Sequence, residues 1–168
     1  MRSRLLVAGS VLATLLVSAC VYQPLYGSAG PSGVNAGMAL DQVSVSEVDT
    51  RVGQQVRNHL LFLFHGGRGS AAPAYDLRIR AADSNRLVAA TQTFRGNTAG
   101  TVGVTVSYDL IETSTNRRID GGSRVANASY DRTGQNFANE RAVRDAENRA
   151  AREVAEQIRN AVAAILSR

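Results

Sequence analysis

Cys20 is the only cysteine in the 168-residue chain. No second thiol exists to form a disulfide, so its chemistry must be with something else. It closes the run Val17-Ser18-Ala19-Cys20. A branched aliphatic, two small residues and a cysteine make a bacterial lipobox. The small side chains let the extended segment enter a peptidase. The sulfur takes a diacylglycerol, and cleavage leaves Cys20 as the acylated N-terminus. The preceding residues fit export: Arg2 and Arg4 are a short basic region, and Leu5 to Val17 is apolar apart from Gly9, Ser10 and Thr14. That run falls short of the ~20 apolar residues of a membrane span. Two or more acyl chains, at ~0.8 kcal/mol per buried methylene, anchor stably where one does not. The covalent N-acyl and S-diacylglycerol groups on Cys20 are thus the expected tether, and no other cofactor is expected.

Little else in the chain has the makings of catalysis. His59 and His65 are the only histidines. Six residues apart, they fall on different faces of a helix and do not form a metal pair; each reads as a surface or helix-end residue. No HExxH motif and no nucleophile elbow occur. Gly66-Gly67-Arg68-Gly69-Ser70 is a loose match to a phosphate cradle, but it follows a helix rather than a strand, the wrong context for one. Asn127-Ala128-Ser129 is a glycosylation sequon, uninformative in a bacterial lipoprotein. The chain therefore reads as a non-enzyme that binds or scaffolds, with no metal site. All 19 basic residues are arginine. Setting aside Arg2 and Arg4, the arginines only slightly outnumber the 14 acidic residues, and the two signs are interspersed. Nothing there is a nucleic-acid footprint.

The elements follow from periodicity. Residues 1–19 are the expected signal peptide, 20–37 an acylated N-terminus with a Gly/Ser-rich flexible tether, and 38–168 a single domain. Leu40, Val43, Val45 and Val48 predict a first strand over 40–48. Asp49 or Thr50 can cap a helix over 50–65, whose stripe is Val52, Val56, Leu60 and Leu63 and whose stop is Gly66-Gly67. Tyr75 to Ala81 alternates as a half-buried strand, with a restart after Asp83-Ser84-Asn85 that continues over Leu87 to Phe94. Val102, Val104, Val106, Tyr108 and Leu110 give the strongest alternation. Arg117 to Tyr130 is a weaker strand, with Gly121-Gly122 as a candidate bulge. Asn136 is placed to cap a final helix from Phe137 to about Leu166, with Glu140 and Arg144 as an i,i+4 pair. The order β-α-β-β-β-α predicts a two-layer α+β sandwich, a mostly antiparallel four-stranded sheet with two helices on one face. The partner of the first strand is left open.

Cys20 followed by Tyr22-Gln23-Pro24-Leu25-Tyr26-Gly27 resembles the C-G-F-x-P-L-Y-G opening of LptE-type lipopolysaccharide-assembly lipoproteins, especially the alphaproteobacterial ones. Val21-Tyr22 departs from the usual Gly-Phe, and the loop after Gly27 is long and Gly-rich. The tail is similar too, in Asn136-Phe137-Ala138, Glu140-Arg141, Arg144-Asp145-Ala146-Glu147 and Arg152 to Ile158. The resemblance implies an outer-membrane lipoprotein that plugs the LptD β-barrel, helps it fold and helps deliver lipopolysaccharide to the cell surface. Lipopolysaccharide carries phosphates and acidic sugars, so arginines in strand-connecting loops would suit it. Arg95, Arg117 and Arg118 are the candidates. The alternative is a periplasmic adaptor lipoprotein, such as a secretion pilotin or a transporter accessory subunit; a lipid-anchored hydrolase is a further rival. Capture of a large β-barrel separates these readings.

Overall fold

Thr50 starts the first helix. Its hydroxyl accepts from the Gly53 amide at 3.1 Å, satisfying one of the free N–H groups of the first turn. The helix, α1 (Arg51–His65), buries Val52, Val56, Leu60 and Phe64. It ends where Gly66 turns left-handed at φ 59° and returns its amide to the Phe62 carbonyl at 2.8 Å. The computed structural model describes residues 39–67, 72–87 and 99–167. Cys20, the signal segment 1–19, the tether 20–37, Arg95 and the expected strand beyond Leu87 lie outside these residues.

The remaining elements are β1 (Val43–Val45), β2 (Tyr75–Leu87), β3 (Ala99–Glu112), β4 (Arg117–Asp131) and α2 (Asn136–Leu166). The sheet order is β1-β2-β3-β4. β1 runs parallel to β2, and the other neighbours are antiparallel. The sheet is therefore mixed: α1 lies in the connection that a parallel β1–β2 pair needs, while β3 and β4 meet through the tight turn at 113–116. α1 packs over β1 and β2, α2 over β3 and β4, and the helices against each other. The alternation in β3 sets the core: Val102, Val104, Val106 and Leu110 are fully buried under the helices, with Tyr108 at 4% exposure. Val154, Ile158 and Val162 of α2 close over them. Burying each such side chain stabilises by roughly 1.5–3 kcal/mol.

Several boundaries differ from expectation. β1 is three residues long, not nine. Residues 39–42 turn instead, with Gln42 bonding back to Ala39, and Leu40 is buried from outside the strand. β2 passes through Asp83-Ser84-Asn85 without a break, because β3 pairs with it as far as Leu87 and Gly100. The register shift in β4 falls at Ile119, the unmatched residue between Arg118 and Asp120, rather than at Gly121-Gly122. Gly122 instead lies under the Tyr108 ring, and Gly100 lies under Tyr130. In both cross-strand pairs a glycine makes room for an aromatic ring lying over the backbone, the arrangement that rescues a weak strand position. Asn136 is the first helical residue and not the cap. Gln135 occupies that position with no side-chain bond, and Asn139 ties the preceding loop through Thr133 N and O at 2.8 and 2.9 Å.

Candidate binding surfaces

Arg117 and Arg118 sit where β4 leaves the turn at 113–116. Both are exposed, and each faces a carboxylate on β3. Arg118 Nε is 2.6 Å from Asp109 Oδ1, and Arg117 Nη2 is 3.9 Å from Glu112 Oε2. Thr115 also donates to Glu112, at 2.6 Å. Partly neutralised pairs of this kind offer an anion less than free guanidinium groups do, since binding competes with the existing partner. Arg78 bonds Asp76 at 3.2 Å and reaches Asn116 at 3.4 Å, so it extends the basic patch at this end of the sheet.

The opposite end holds a groove of about 770 Å³. It forms because α2 begins before the sheet does: residues 136–145 are mostly exposed, while Ala146, Ala150 and Ala151 are buried. Its floor is tied by Tyr130, whose hydroxyl donates to Asn85 Oδ1 at 2.8 Å. Arg51, Arg132 and Arg144 contribute to its walls. Arg51 is held by Glu147 and, at 3.3 Å, by Asn148. Arg132 and Arg144 make no ion pair within the described residues; Glu140 lines the same groove without bonding Arg144. The i,i+4 pair on α2 is instead Asp145 with Arg149, at 2.9 Å. Leu87, 59% exposed, lies in the groove wall, and Phe137, 84% exposed, stands on the adjoining face of α2 beside Arg141 and Arg144. Exposed apolar groups beside unpaired guanidinium groups make a surface that suits an amphiphile with anionic headgroups.

Sequence reading did not assign these three arginines to a binding site; Arg144 entered it only as the partner of Glu140 and as part of the family-like tail. Arg51 opens α1, Arg132 lies in the β4–α2 loop and Arg144 is on the polar face of α2.

The histidines occupy different settings. His59 is half-buried between the helices. Its pKa is lowered from 6.5, first by burial and then by the nearby Arg152, with Glu156 acting the other way. His65 is not a surface residue. It is 4% exposed, with its ring edge-on to Phe64 at 6.2 Å, because the end of α1 is packed onto the core. Among the described residues, no cluster of three metal-ligating side chains occurs, and no helix is long and apolar enough to cross a membrane.

The LptE family model, described as lipopolysaccharide-assembly, matches residues 40–162. No curated protein matches the chain. Among solved structures, a protein of Caulobacter crescentus CB15 described as a lipoprotein is similar with a TM-score of 0.65 at 21% identity, over 82% of this chain and 98% of that one. Rare lipoprotein B of Shewanella oneidensis gives 0.55 at 12% identity, over 75% and 95%. A minor lipoprotein of Acinetobacter baumannii gives 0.52 at 16% identity, over 73% and 88%. At these identities the three structures speak to the fold alone.

Proposed function

Because the chain belongs to the LptE lipopolysaccharide-assembly family, we propose that it is an outer-membrane lipoprotein that sits inside an LptD-type β-barrel, helps that barrel assemble and helps deliver lipopolysaccharide to the cell surface. The family match over residues 40–162 carries this reading. The surface supports it. A barrel lumen is polar and water-filled, so a plug needs a folded domain with a mixed polar exterior. The sheet face away from the helices has that character, with Arg78, Arg80, Thr105, Ser107 and Asn127 exposed on it. Acylated Cys20 anchors the protein in the inner leaflet. Cys20→Ala removes the acyl acceptor, so unprocessed precursor should accumulate; mass spectrometry showing normal cleavage and acylation of that variant would refute the anchor.

The lipopolysaccharide contact is assigned to the groove. Arg132 and Arg144 meet phosphate, and Leu87 and Phe137 meet the apolar part of the lipid. Arg95, Arg117 and Arg118 form the competing candidate set. Two variants separate them: Arg132→Asp/Arg144→Asp and Arg95→Asp/Arg117→Asp/Arg118→Asp. Charge reversal removes donors and adds repulsion, so the variant at the true site should bind purified lipopolysaccharide about tenfold or more weakly, the worth of one charge-assisted hydrogen bond. The loss should shrink in high salt, where surface charges are screened. The groove variant is expected to show it. Unchanged binding by that variant at low salt would remove the groove from the site.

A further inference from the structure

Both free edges of the sheet are closed by side chains of the helix lying over them. At β1, Arg57 of α1 donates Nε to the carbonyls of Val45 and Ser46, at 3.2 and 3.1 Å. At β4, Arg149 Nη2 of α2 donates to the Ser129 carbonyl at 2.8 Å, and Gln157 Nε2 donates to the Val125 carbonyl at 3.4 Å. Arg124, on β4 itself, takes the Ser123 carbonyl at 2.8 Å. Alternate residues of an antiparallel strand turn both backbone groups toward the neighbour or away from it. Ser123, Val125 and Ser129 share one parity, so with Asn127 they form the row that faces outward.

The spacing of the two α2 residues matches their targets. Arg149 to Gln157 advances about 12 Å along a helix, and Val125 to Ser129 advances about 13 Å along a strand. The ion pair with Asp145 holds the Arg149 guanidinium in place. β1 needs little protection, because a three-residue edge is a poor template. β4 is different. It is 15 residues long and contains no proline and no lysine, the usual devices against edge pairing. The side chains flanking its outward row are short, from Ser123 to Ser129, apart from Arg124.

We propose that Arg149 and Gln157 are a guard that keeps the β4 edge from pairing with β4 of a second copy of this chain. Such a pairing is self-complementary about a two-fold axis. Centred on Asn127, it sets Val125 of each copy opposite Ser129 of the other. Each new strand would need the Val125 and Ser129 carbonyls as acceptors, and these are the two that α2 already occupies. The guard holds the domain single while its edge stays chemically intact. This inference rests on β4 and α2 alone and does not depend on the barrel or lipopolysaccharide reading.

The test places a reporter at the axis. In the paired arrangement the two Asn127 Cα atoms lie about 5.5 Å apart, within disulfide reach. Full-length Asn127→Cys protein in detergent is oxidised over a range of concentrations, with and without Arg149→Ala/Gln157→Ala. The parent chain lacking Asn127→Cys controls for Cys20. Removing the guard should raise self-association about tenfold or more, since two acceptors per copy are freed, and disulfide-linked dimer should appear at correspondingly lower concentration. Circular dichroism confirms that the variant is folded; if it is not, Arg149→Ala alone gives the reading. Asn127→Pro in the guard-free background, followed by sedimentation, should restore the monomer, because proline removes an outward N–H without breaking the β3–β4 ladder. Equal cross-linking with and without the guard, or a dimer that survives Asn127→Pro, would overturn the proposal.

Discussion

His59 shows how one side chain couples the two helices to pH. It is carried by α1 and responds to Arg152 and Glu156 of α2. Burial and the Arg152 charge both disfavour its imidazolium, so its folded pKa lies below the ordinary 6.5. As pH falls below that value the unfolded chain takes up a proton before the folded one does, and stability declines. The contribution of His59 is present in full above pH 6.5 and is lost on acidification toward the folded pKa. His59→Gln should therefore flatten the dependence of the melting temperature on pH below neutrality. Equal slopes for the two proteins would show that His59 is not a source of it. Neither the burial of His59 nor that of His65 was visible in the sequence, since the spacing of two histidines reports their relative faces and not which face the sheet covers.

At the level of elements, β3 is the test of register. Its apolar alternation was legible because its two faces meet different surroundings, helices on one side and solvent on the other. Val106 is fully buried, whereas its neighbour Thr105 is exposed. Val106→Asp places an unpaired charge in the core, with a loss of several kcal/mol expected against a marginal total of about 5–15 kcal/mol. Thr105→Asp should shift the melting temperature by only a degree or two, within the roughly 0.5 kcal/mol of a surface change. Similar melting curves would mean that the register is wrong. Other elements were less legible. The β1 boundary was hidden because Leu40 and Val48 reach the core from outside the strand. The irregularity in β4 was hidden because Gly121-Gly122 has the composition of a bulge, while Gly122 serves to admit the Tyr108 ring. The α1 stop was readable, because a left-handed terminus demands glycine.

The whole molecule has two ends of different character. Ion-paired arginines stand at the β3–β4 turn, while at the other end Arg132 and Arg144, which make no ion pair among the described residues, stand near exposed Leu87 and Phe137. The groove was not legible in the sequence, because Arg51, Arg132 and Arg144 come together only when the two helices lie side by side with their N-terminal ends at the same end of the sheet. Between these ends lie a polar sheet face and an edge bonded by α2, so in the proposed barrel, contact with the wall would be spread over many small polar interactions. Single surface substitutions should then do little to the assembly. The direct measurement is affinity capture of the full-length acylated protein from detergent-solubilised outer membranes, followed by identification of what comes with it. A single large β-barrel of the LptD type is expected in near-stoichiometric amount, retained in the Arg132→Asp/Arg144→Asp variant. Capture of a secretion or transporter component with no barrel, or of the protein alone, would contradict it.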